Sequence, residues 1–164
     1  MKAGGIAVPL EEAHAEFIQG GVSVIVATRD AEHVADAIRG CGCRVSRDRR
    51  RVVVLVDRIR AGTLVANVTA NGQIAVVFSQ PSTHRTIQLK GTDASVVRPK
   101  ASDRALVASH REEWIDELCR IGYSREFAAA FWGRLPETLV AIAFTPSAAF
   151  QQTPGPAAGQ PLRD

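Results

Sequence analysis

NGQIAVVFSQPSTHRTIQLKG, residues 71–91, is the stretch around which the rest of the chain can be placed. Residues 73–78 form a continuous apolar run between Asn71-Gly72 and Pro81, as a central strand does. Thr86, Ile87, Gln88, Leu89 and Lys90 alternate polar and apolar, the pattern of a strand with one wet face. Between the two runs Ser79, Gln80, Ser82, Thr83, His84 and Arg85 gather hydroxyl, amide, imidazole and guanidinium groups into one corner. That chemistry suits a polar or anionic ligand held against a sheet. Composition alone also allows a solvated turn, the commoner fate of a polar loop.

Working outward, residues 22–28 and 52–56 are rich in β-branched side chains and predict two more strands, with a hairpin tip at 47–50 before the second. Pro9, Glu11 and Glu12 open a short helix over 9–19, stopped by Gly20-Gly21, whose Leu10, Ala13 and Phe17 can cap one end of a barrel. Helical spacing returns over 60–70, with Leu64, Val65 and Val68 on one face. The strand at 86–90 continues through Ala94 to Val97. Ser102 and Asp103 then open the longest helix, carrying a stripe of Leu106, Val107, Trp114, Ile115, Leu118 and Ile121, with His110 packed beside it. A helix over 124–132 presents Phe127 and Phe131, and residues 139–144 form the last strand. Residues 151–159 are too rich in Pro and Gly for regular structure, so a domain over 1–150 precedes a tail over 151–164. Residues 30–46 are ambiguous, because Val34, Ala35 and Ile38 have helical spacing after a capping Asp30. About six strands with helices at the ends fit a mainly β antiparallel barrel better than a doubly wound sheet, which needs regular alternation.

Composition narrows the function. A chain of 164 residues with 46% hydrophobic and 23% charged residues can bury a core of its own, and no apolar stretch approaches the ~20 residues of a membrane helix. Without an evident leader, the cytoplasm is the expected compartment. The net charge is only +3, and the cluster Arg44, Arg47, Arg49, Arg50 and Arg51 has no aromatic residue interleaved, so a specific nucleic-acid partner is not expected. Cys41, Cys43 and Cys119 lack zinc or redox spacing and read as reduced thiols, with no metal. No nucleophile elbow, zincin motif, Walker loop or dinucleotide turn occurs, so any redox chemistry must come from a cofactor.

The run ending V-x-F-S at Ser79, followed by P-S-T-H-R-T-x-Q-L-K-G over 81–91, resembles the FMN-binding split-barrel proteins related to pyridoxamine 5′-phosphate oxidase. The ending F-Q-Q-T-P-G-P-A-A-G over 150–159 is similar to the F-x-Q-T-P-G-P-x-A-G tail of one subgroup. The resemblance implies a six-stranded antiparallel split β-barrel. It also implies a strand over 34–46, with Gly40 and Gly42 marking a bulge, and a homodimer holding FMN, ahead of FAD or haem, at its interface. By that resemblance Ser79, His84, Arg85, Thr86 and Gln88 face the cofactor, with Thr86 or Gln88 replacing a flavin-contacting Gln. The oxidase's Ser-Arg-Lys phosphate grip is replaced here by Gly62-Thr63-Leu64, leaving Thr63 at the helix start and Arg39, Arg44, Arg58 or Arg60 as compensating groups. The oxidase's C-terminal Arg-x-His is also missing from Leu162-Arg163-Asp164. The implied function is a flavin-dependent oxidoreductase other than the oxidase itself, acting on a small substrate; the alternative is a non-catalytic split-barrel protein binding haem or nothing.

Overall fold

The computed structural model describes residues 9–162; the comparison made at Arg163 and Asp164 lies outside them. Eight strands form one antiparallel sheet: β1 Ser23–Arg29, β2 Ala35–Val45, β3 Val52–Asp57, β4 Ile74–Ser79, β5 Thr86–Gly91, β6 Ser95–Val97, β7 Leu139–Phe144 and β8 Ala148–Gln151. Their order is β6-β7-β3-β2-β1-β4-β5-β8. The sheet is open and has eight strands, which corrects the expected six-stranded split β-barrel in two places. The strand expected to run on from 90 to 97 breaks after Gly91. Ala94 N–H instead donates to Gly72 O at 3.0 Å, and β6 crosses to pair with β7 at the far end. At the other edge, residues 148–151 add a strand to β5, although the tail they lead into is rich in Pro and Gly.

Helical spacing over 30–46 is overruled. β2 pairs with β1 over residues 35–39 and with β3 over residues 40–45, so each half has a ladder to meet its backbone groups. The register shifts between Gly40 and Gly42, the expected bulge. Gly42 has φ +139°, open chiefly to glycine, and a methyl there would lie 3.0 Å from the Leu106 side chain.

One face of the sheet buries Val24, Val26, Val54, Val76, Phe78, Ile87, Leu89, Ile142 and Phe144 in the main core. The sheet curls around it so far that β5, seventh in order, meets β7, second in order: a methyl on Gly91 would lie 2.7 Å from the Phe144 ring. Helix α1, Glu12–Gln19, closes one end with Ala15 and Ile18. It starts after Pro9 because Leu10 N–H is already committed to Arg49 O. Helix α2, Gly62–Asn71, ends at left-handed Gly72 and buries Leu64, Val68 and Asn67, whose Nδ2 donates to Thr28 Oγ1 at 3.1 Å. Helices α3, Asp103–Arg120, and α4, Arg125–Trp132, pack on each other and cover part of the opposite sheet face. Ile121 lies past the end of α3 and is exposed, unlike the rest of the expected stripe. No described helix is long and apolar enough to cross a membrane.

Candidate functional site

The outward face of the sheet has two halves. Under α3, Cys41, Val53, Leu55, Ala141 and Ala143 are buried with Val107. Over the outward side of β1, β4, β5 and β8 no described helix lies, and the outward side chains are half-buried or exposed. Register assigns them to rows. Arg39 is paired with Ile25, Ile25 with Val77, Val77 with Gln88, and Gln88 with Phe150. Ser23, Ser79 and Thr86 form the neighbouring row, because cross-strand partners share a face and residues two apart do also. Four of the nine predicted site residues, Arg39, Ser79, Thr86 and Gln88, therefore stand on one surface.

Their hydrogen bonds fix their orientation. Ser79 Oγ and Thr86 Oγ1 lie 2.8 Å apart, and Thr86 Oγ1 also donates to His84 O. Gln88 Oε1 accepts from Gln152 Nε2 at 3.3 Å, and Thr153 Oγ1 accepts from Thr86 N–H at 3.0 Å. Beyond Gln151 the described tail has no helix or strand, as its composition predicted, yet it is tied to β5 by these bonds. Further along, Gly159 N–H returns to Gln151 O and Leu162 N–H to Ala149 O.

Arg39 stands where the bare half meets the roofed one. Its guanidinium lies 4.6 Å from the Trp114 ring centre, 4.4 Å from that of Trp132 and 5.7 Å from that of Phe131. Its Nη2 is buried without a hydrogen-bond partner. Burial lowers its pKa, Cys41 acts in the opposite sense, and Arg60 lowers it further. A cleft of about 340 Å³ is lined by Arg39 together with Arg60, Cys41 and Asp57.

The other predicted residues lie apart from this face. Arg44 is committed to Asp103, whose buried carboxylate accepts from Nε at 2.9 Å. Thr63 is exposed in the first turn of α2, a helix start with no side-chain cap. His84 is exposed at φ +59°, in the turn that Gln80 and Arg85 close. Arg85 lies over the Phe17 ring of α1 at 4.2 Å.

Two features escaped sequence reading. Glu117, 4% exposed on α3, accepts from Gln80 Nε2, Ser82 N–H, Ser82 Oγ and Arg120, and so ties the β4–β5 corner to the roof. Burial pushes its carboxyl up, and the bonds from Ser82 and Gln80 with the Arg120 charge outweigh this, leaving it below the ordinary range. Its signal was an acidic residue lying between Trp114 and Leu118 on the apolar stripe. The Trp114–Trp132 cage around Arg39 had no sequence signal, since three elements assemble it.

No known protein-family profile matches the sequence, and no curated protein does. Solved structures match its fold. HupZ of Group A Streptococcus gives a TM-score of 0.55 at 16% identity, over 92% of this chain and 99% of that one. A pyridoxamine 5′-phosphate oxidase-related, FMN-binding protein of Nostoc punctiforme gives 0.52 at 13%, over 92% and 87%. An F420 reductase gives 0.52 at 14%, over 87% and 98%.

Proposed function

We propose that this chain, whose fold is that of the pyridoxamine 5′-phosphate oxidase-related split-barrel proteins, binds FMN against the bare half of its sheet and acts as a flavin-dependent oxidoreductase on a small substrate. The observation that carries the reading is the shared outward face of Arg39, Ile25, Val77, Gln88, Ser79 and Thr86. A flavin needs a flat apolar floor, hydrogen-bonding groups for its polar ring edge and positive charge for its phosphate. Ile25 and Val77 supply the floor. Ser79, Thr86 and Gln88 supply the polar edge, with Gln88 oriented by Gln152. Arg39 supplies a charge with a buried Nη2 that makes no hydrogen bond, beside Arg60 in the same cleft. The residues present therefore fit the group without the oxidase's grip. Bound FMN would supply hydride acceptance and donation; the chain would hold, orient and shield it.

The rest of the bare face carries Ala27, Ala75, Ala148 and Phe150 beside Lys90, and we read it as the contact surface of a homodimer. Three free thiols, of which Cys41 and Cys43 are buried, are consistent with a cytoplasmic setting. One observation favours the alternative, a non-catalytic protein binding haem or nothing: Gly62-Thr63-Leu64 offers no cation. The absorption spectrum of the purified protein tests both. Flavin bands, or their appearance on titration with FMN, are the expected result. A colourless protein taking up neither FMN nor FAD overturns the reading, and a Soret band lost in His84→Ala replaces it with haem. Light scattering at micromolar concentration should give a dimer mass.

A further inference from the structure

A second concavity, of about 600 Å³, lies at the α1 end of the sheet. Its walls are His14, Arg85 and residues of the returning tail, among them Gln151, Gln160, Pro161 and Leu162. It is separate from the bare face. Thr86 faces outward, so Arg85, one residue earlier, turns the other way and meets Phe17. Gln151 is paired with the core-facing Ile87, which puts it on the inner side also.

The chemistry of this concavity is one-sided. Arg85 is half-buried, and its guanidinium is held by the Phe17 ring with no hydrogen bond or ion pair to any described residue. A partly desolvated guanidinium keeps its charge, so donors without an acceptor are costly unless something else accepts from them. Among the described residues no acidic side chain lines the cleft, and the Glu11 carboxylate lies 3.8 Å from the Nδ1 of lining His14. The side-chain amides of Gln151 and Gln160 make no hydrogen bond with the described residues. Pro161 and Leu162 add apolar wall. A cavity within the ~300–1,000 Å³ of small-molecule sites, with one fork-shaped cation, two free amides and an apolar side, matches a small organic anion.

We infer that this cleft between α1, Arg85 and the C-terminal tail binds a small molecule bearing a carboxylate or phosphate group, with Arg85 as its charge anchor. The tail is then a wall of a binding site, held there by its bonds to β5 and β8. The site stands whether or not the sheet face holds a flavin.

The test is a titration of the purified full chain with benzoate and, separately, inorganic phosphate, followed by ¹H–¹⁵N spectra that include the Arg85 side-chain Nε–H. Saturable shifts at Arg85, Gln160 and Leu162 are expected for at least one probe, and the stronger probe identifies the anion class. Arg85→Ala should weaken that binding at least tenfold. Arg85→Lys, which keeps the charge but loses the fork, should weaken it by less. If Arg85→Ala loses the dispersed spectrum of the folded chain, Ala157→Trp, which fills the cleft from its exposed rim, decides instead and should abolish the shifts. No saturable shift with either probe, or binding unchanged by Arg85→Ala or Ala157→Trp, overturns the site. Neither probe depends on flavin, so this result and the flavin spectrum fail independently.

Discussion

The two halves of the outward sheet face lie in one sheet, joined through β2, yet have opposite fates. Where α3 lies over β3 and β7, Leu55 and Ala141 are fully buried and the surface behaves as a second core. Over β1 and β4, Ile25 is 41% exposed, though its chemistry would suit the same core. The bare half also carries what the roofed half lacks, a row of hydroxyl and amide groups at Ser79, Thr86 and Gln88. Apolar floor with ordered polar groups is the composition of a ligand surface, whereas apolar floor alone is that of a helix seat.

The largest expected contrast is in stability. Leu55→Ala should cost about 2–5 kcal/mol in urea unfolding, because it opens a cavity beneath α3, whereas Ile25→Ala should cost well under half as much. Equal losses would mean that both halves are equally buried in the protein as it exists in solution, as a tight dimer would make them.

Next comes acid. His110, on the buried side of α3 and 2% exposed, has both ring nitrogens buried with no well-aligned hydrogen bond. Burial lowers its pKa to about 4; the Gly20 carbonyl acts in the opposite sense, Arg39 adds repulsion, and the Val22 carbonyl again opposes the shift. A depressed His pKa means that the unfolded chain takes up its proton first, so stability is fully present above about 6.5 and is lost as pH falls toward 4. The loss should reach roughly 2–3 kcal/mol at pH 4, read from chemical denaturation across that window. His110→Leu should remove most of it. Glu117, also depressed, should contribute a further loss only below the ordinary carboxylate range, and Glu117→Gln should flatten that part.

The third contrast is in binding. Arg39→Ala should weaken FMN affinity about ten- to hundredfold, the equivalent of one charge-assisted hydrogen bond of ~1.5–3 kcal/mol. Arg44→Ala, whose cation is spent on Asp103, should disturb folding more than FMN affinity. The smallest effect is at the tail: Thr153→Ala removes an acceptor from Thr86 N–H and should cost about 1 kcal/mol, seen as faster amide exchange at Thr86.

Much of this was readable in advance. Alternation over 86–90 fixed which side chains share a face, and the same parity assigns Arg85 to the other side of the strand. Taking the polar corner as one unit concealed that division. Periodicity misled over 30–46, because spacing cannot reveal that the two halves of a segment will each find a strand partner; the glycine pair was the better guide. The edge strand at 148–151 was hidden by the prolines that follow it, although none of them lies within the four residues that pair. Which half of the sheet α3 would roof was not in the pattern at all, since the apolar stripe that includes Val107, Trp114 and Leu118 says what must be covered and not by which surface.

The position of β7 has a consequence in time. Val52 to Val56, an unbroken apolar strand, finds its second partner only in residues 140–144, far along the chain. Until that pairing forms, β3 presents an open edge of unsatisfied backbone groups, and the long loop to be closed makes the step slow. Folding and self-association therefore compete at one strand, and the race between them is decided by how soon β7 arrives.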